Sequence, residues 1–225
     1  MRSLNFATRP TTTVLWAGAL VLLVLAPAAG RGDIILGNLG AASGSDSSSE
    51  SINSSDFFAG SFTMGSQAYS LSDAQILLTF SPPRSTTFEI ESDSTGQSQP
   101  SGAILSTFNN PIFGSGLITY TFTPDSPFTF APNTTYWLVG STSNALGANW
   151  AVSNPPTNPT GSGADFGNYA SSSDGGATWT KSISNAAQFQ LDGTAVPEPS
   201  YLVMVGAFAC VAGAVRLRRR RSPHS

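Results

Sequence analysis

The chain has 225 residues, 10% of them charged, with 22 glycines, 15 prolines, one cysteine and one histidine. Between Arg31 and Ala195 only Arg31, Arg84 and Lys181 are basic, against twelve acids, a net charge of −9. Such a surface repels a phosphate backbone, so no nucleic-acid partner is expected, and the acids suit solubility or divalent cations. The cysteine, Cys210, and the histidine, His224, both lie near the C-terminus. Residues 31–195 therefore hold no disulfide, no Ser-His or Cys-His nucleophile pair and no zinc set built from these ligands.

Arg2 and Arg9 precede an apolar run from Val14 to Ala26, and small residues follow at Ala28, Ala29 and Gly30. That order predicts a secretory signal peptide over residues 1–30, cleaved near Ala28 to Gly30, and the run is short for a permanent anchor.

The next 165 residues or so suit one domain with a single core. Asp33 to Asn38 reads as a first strand, and residues 41–55, nearly all small and polar, as a flexible loop. Asp56 to Met64 carries Phe57, Phe58 and Phe62. Tyr69 to Phe80 is the strongest strand signal, ended by Pro82 and Pro83. From Thr86 to Ile90 residues alternate, placing Phe88 and Ile90 on one face and Thr87 and Glu89 on the other. Ser92 to Gly102 reads as a polar turn region. Short apolar runs follow at Ile104 to Phe108, Leu117 to Phe122 and Phe128 to Phe130. Thr134 to Val139 is a dense block of β-formers, and Trp150 to Val152 a further short strand. Pro155, Pro156 and Pro159 mark a loop. Phe166 to Tyr169, Ala177 to Lys181 and Ala187 to Leu191 complete ten or eleven strands. These spacings predict a mainly β fold, an antiparallel, jelly-roll-like β-sandwich, flanked by an N-terminal signal helix and a C-terminal transmembrane helix.

Val196-Pro197-Glu198-Pro199-Ser200 introduces an apolar segment from Tyr201 to Val215, followed by Arg216, Leu217 and Arg218, Arg219, Arg220 and Arg221. Residues 196–221 are expected to form a sorting and anchor segment with a membrane helix at about 200–217, the arginines stopping transfer on the inner side and residues 222–225 ending the chain in the cytoplasm. The fifteen residues from Tyr201 to Val215 span about 22 Å of helix against a hydrocarbon core of about 30 Å. A provisional anchor suits that length better than a permanent span, and Pro197 and Pro199 keep the preceding segment extended for a processing enzyme.

This end of the chain resembles the PEP-CTERM sorting signal of Gram-negative and related environmental bacteria. The resemblance implies recognition by an exosortase-like processing enzyme, contact with membrane lipid, and cells that make exopolysaccharide and biofilm. The body resembles the choice-of-anchor extracellular domains, type R above all. Asn38-Leu39-Gly40, Ala59 to Gly65, Tyr69 to Leu71, Ala74 to Leu78, Pro100 to Gly102 and Pro132 to Val139 carry that likeness, with Trp150 and Phe189. No activity comes with it.

The remaining candidates for chemistry are few. Glu89, Glu91 and Asp93 fall at alternate positions and could form a carboxylate pair for glycoside hydrolysis, although a solvated strand face opposite Phe88 and Ile90 is preferred. A calcium site at Asp93 or Asp174 lacks an Asp-x-Asp-x-Asp-Gly loop to support it. Ser172 to Trp179 fits the Asp-box pattern Ser-x-Asp-x-Gly-x-Thr-Trp of sialidase propellers. The likeness implies a structural hairpin in which Asp174 accepts backbone hydrogen bonds, Gly176 takes positive φ and Trp179 packs underneath. Trp137, Trp150, Trp179 and Tyr169 could line a sugar-binding face. Core packing is preferred for Trp137, and Trp150 and Trp179, beside loops, are the possible ligand-facing aromatics. No catalytic residue, metal ligand or cofactor is expected. The reading is a non-catalytic exported surface or extracellular-matrix protein, held in the inner membrane and then processed, whose partners include exopolysaccharide. The alternative is a carbohydrate-binding module, and a two-carboxylate hydrolase comes third.

Overall fold

A computed structural model describes residues 32–41, 49–80, 85–145, 147–182 and 186–197. The signal segment, Glu198, Pro199, the apolar tail and Arg216 to Arg221 lie outside them. The described part is mainly β and antiparallel. In chain order its strands are β1 (Asp33–Gly37), β2 (Ser49–Ser51), β3 (Phe57–Met64), β4 (Tyr69–Phe80), β5 (Thr87–Asp93), β6 (Pro100–Asn109), β7 (Gly116–Pro124), β8 (Thr129–Phe130), β9 (Thr135–Ser141), β10 (Asn149–Ser153), β11 (Ala164–Ser172), β12 (Thr180–Ser182), β13 (Ala186–Ala187) and β14 (Phe189–Ala195). No helix among the described residues is long and apolar enough to cross a membrane.

The strands form two ladders joined at one corner. The first runs β1-β14-β4-β7, and the second runs β6-β5-β9-β3-β11-β12. They meet where Phe108 and Asn109 of β6 pair with Pro124 and Thr123 of β7. Strand β4 has the alternation that its sequence promises. Leu71, Ala74, Ile76, Leu78 and Phe80 are buried, with less buried neighbours between them. Buried residues of both ladders pack against one another in the main core. Phe88 of β5 meets Phe122 of β7 edge-on at 5.0 Å, and Phe62 meets Phe130 at 5.4 Å. Such edge-to-face pairs add to the apolar burial that drives folding.

The count exceeds the expected ten or eleven strands because short stretches without β-formers pair as well. The expected loop at 41–55 contains β2, which pairs with β10, and Ile52 just beyond it is fully buried. Its backbone N–H donates to the Ala148 carbonyl at 2.8 Å. Sidedness on one apolar residue and one neighbouring edge overrides the flexible composition. The expected turn at 92–102 is also shorter, since β6 begins at Pro100.

Candidate functional site

The second ladder has two distinct faces. Ile90, Leu138, Gly60 and Tyr169 stand in register across β5, β9, β3 and β11 and face the main core. The opposite row runs Thr107, Glu89, Val139, Ala59, Ala170 and Lys181, with Glu91, Trp137 and Ser61 beside it. On this second face Ala59, Trp137, Val139 and Ala170 form a separate buried cluster, with Trp179 packed against it.

The three acids of β5 border that cluster, and they are not the solvated face that alternation alone suggests. Glu91 is only 5% exposed. The ladder between β5 and β6 is bulged on both sides of Glu91. Within the bulge Gly102 has φ +76°, a conformation open to glycine, and its N–H donates to Glu91 Oε2 at 2.6 Å. Asp93 accepts the indole N–H of fully buried Trp137 at 2.8 Å. Glu89 and Glu91 are hydrogen-bonded to each other. Burial, followed by the charge of Glu91 and that hydrogen bond, pushes the Glu89 carboxyl up to about 7. Burial raises Glu91 too, opposed by the Gly102 N–H and by Glu89. Near neutral pH the pair shares a proton and Glu89 acts as donor. Hydrolytic carboxyls need a gap of about 5–5.5 Å or more for a sugar and a nucleophile or water. Two acids bonded to each other, one of them buried, fit a structural latch better than that chemistry.

The Asp-box segment is a hairpin joining β11 to β12, with Ser171 opposite Thr180. Asp174 accepts the Thr178 backbone N–H at 2.8 Å and the Thr178 hydroxyl at 2.6 Å, and Ser172 Oγ donates to it at 2.8 Å. Those donors hold the Asp174 carboxyl down to about 2, the Thr178 hydroxyl most of all. Gly175 and Gly176 take φ +70° and +89°, and the Gly176 N–H donates to Ser172 Oγ at 2.9 Å. Trp179 is half-buried. Beside the hairpin lies a cleft of about 260 Å³ lined by Glu50, Asp56, Ser171, Ser172, Ser173 and Thr178, among others.

Trp150 does not face a ligand, contrary to expectation. It is fully buried, with Phe88 edge-on at 5.0 Å, Phe58 at 5.8 Å and Phe189 at 6.0 Å. Its indole N–H donates to the Gln188 carbonyl at 3.0 Å. Its short strand beside a loop suggested an accessible ring, but pairing of β10 with β2, β4 and β13 carries the ring into the core. Tyr169 is buried as well, stacked on Phe58, with its hydroxyl donating to the Ala187 carbonyl at 3.0 Å. Pro197 is exposed, just past β14.

One acidic site was missed in sequence. Asp73 of β4 lies directly opposite Asp192 of β14. Gln75 and Gln190 both donate to Asp192, at 2.8 Å and 2.9 Å. The four side chains help line a cavity of about 380 Å³, and burial followed by the Asp192 charge raises the Asp73 carboxyl. The signal was there: Asp73 and Gln75, and Gln190 and Asp192, each lie two apart and so share a face. Among the described residues no three His, Cys, Asp or Glu side chains come together as metal ligands. No protein-family model and no curated protein matches the chain.

Proposed function

We propose that the chain is a non-catalytic exported protein of the cell surface or extracellular matrix, a jelly-roll-like β-sandwich delivered by its tail. The signal segment takes it through the inner membrane. The apolar segment from Tyr201 holds it there, with the arginines inside, until an exosortase-like enzyme releases it into an exopolysaccharide-rich biofilm. The order of Pro197-Glu198-Pro199, apolar segment and arginine cluster carries this reading. The end of β14 at Ala195 supports it, since a folded domain stops two residues before Pro197 and leaves that proline exposed. Mass spectrometry of protein released from the cell surface is expected to find chains lacking Arg218 to Arg221. Released chains that keep the cluster refute the processing step.

The cleft beside the Asp-box hairpin favours a second reading, a carbohydrate-binding module. Carboxylates and hydroxyls line it, whereas Trp179, between the lining residues Thr178 and Thr180, packs on the buried cluster of the sheet face. Binding on a glycan array that is lost in Ser173→Ala/Thr180→Ala supports this second reading, and an array without binding leaves display as the function.

A further inference from the structure

The first ladder sends Ala74, Ile76, Phe189 and Leu191 into the main core, so the residues between them face away from it. On that outer face Ile34, Asp192 and Asp73 stand directly opposite one another across β1, β14 and β4. Gln190, Gln75 and Thr121 form the next row across β14, β4 and β7. The cavity of about 380 Å³ is lined by Gly32, Ile34 and the four acid and amide side chains. Its hydrogen bonds are unevenly shared. Asp192 is only 7% exposed and receives both glutamine amides. Asp73 Oδ1 is shielded from solvent, and no described group donates to it. A buried carboxylate oxygen without a donor costs free energy until a ligand supplies one. No basic residue lines the cavity, and the nearest described one in sequence, Lys181, belongs to β12 at the end of the second ladder.

We propose that this cavity binds an amino sugar whose amine is free, as in a partly N-deacetylated polysaccharide. A positively charged donor answers both the paired acids and the empty Asp73 oxygen. A divalent metal does so poorly, since it wants several oxygen ligands and the described residues bring no third acid to the two. An ammonium carries one charge and three N–H donors, enough to reach Asp73 Oδ1 and Asp192 together. The rest of the patch suits a sugar ring. Gln75, Gln190 and exposed Thr121 can donate to and accept from hydroxyls, and Ile34, 49% exposed, offers an apolar wall. The net charge of −9 over residues 31–195 draws a polycation towards the domain. The polymer's presence rests on the matrix reading above, whereas the chemistry of the cavity stands without it.

Titration calorimetry of the full chain in mild detergent tests this, at about 0.15 M salt to screen diffuse attraction. The probes are a glucosamine oligosaccharide and its N-acetylated counterpart. Wild type is expected to bind the free-amine oligomer about tenfold or more tightly, because acetylation removes the charge and two of the donors. Asp73→Asn/Asp192→Asn is expected to lose that preference with unchanged circular dichroism. Asp125→Asn/Asp165→Asn removes the same charge from exposed positions elsewhere and is expected to keep it. No binding of the free-amine oligomer, or equal binding of the two, overturns the proposal on wild type alone. A preference that survives Asp73→Asn/Asp192→Asn, or that Asp125→Asn/Asp165→Asn also abolishes, overturns it as well. Each of these results leaves surface display standing, since the mass of the released chain tests that separately.

Discussion

The two faces of the β5-β9-β3-β11 ladder bury aromatic rings by different means. On one face Phe58, Phe88 and Tyr169 join the main core, where Trp150 and Phe189 meet them ring against ring. On the other, Trp137 sits among small residues and is tied down by the carboxylate of Asp93. The first face depends on shape and apolar area. The second depends on polar groups, and beside them burial pushes the Glu89 carboxyl up to about 7. The lesson is that one sheet carries a pH-indifferent side and a pH-responsive one.

The largest expected effect separates the two faces. Trp150→Ala empties the centre of the main core and is expected to cost about 3–5 kcal/mol, read from chemical denaturation. Trp137→Phe keeps most of the ring but strands the Asp93 oxygen, so a smaller loss of about 1.5–3 kcal/mol is expected. Equal losses would erase the contrast between the faces.

The third prediction concerns pH. An unfolded Glu89 titrates near 4.5, and the folded one at about 7. Over that window the folded chain binds more protons than the unfolded chain, so stability falls as pH rises from about 4.5 to about 7 and levels off above. Part of the carboxyl remains in water, which reduces the effect to about 1 kcal/mol. Glu89→Gln can still donate to Glu91 and is expected to flatten that part of the melting profile and to be more stable than wild type at pH 8. A variant with an undiminished slope would move the pH response to Asp73, which burial also raises. The smallest effect belongs to the exposed hairpin. Asp174→Ala is expected to lower Tm slightly at neutral pH, by freeing the Thr178 N–H and hydroxyl, and an unchanged Tm removes the turn from the stability account.

The legible parts of the fold were those in which each residue declares its own side. Tyr69 to Phe80 was legible from its apolar residues and from the prolines at 82 and 83, and its bounds are those of β4, although the alternation breaks between Leu71 and Ala74. Strand β2 was not legible, because Ser49-Glu50-Ser51 has no preference of its own and takes its place from β10. The burial of Glu91 was hidden for a related reason. It depends on the bulge at Gly102, eleven residues away, which alternation within β5 does not register. The Asp-box hairpin was readable because its bonds all lie within a few residues of Asp174. Trp150 was misplaced since its partners, Phe58, Phe88 and Phe189, come from far along the chain.

The position of β14 has a mechanical consequence. It is flanked on both sides, by β1 and by β4, and Val196 just past it is held by the Ala68 carbonyl and by Gln67. A pull on the chain beyond Pro197 runs along β14, so the bonds to β1 and β4 share the load in shear and do not peel one by one. The domain thus meets tension at its C-terminal end with two strand pairings of the first ladder at once.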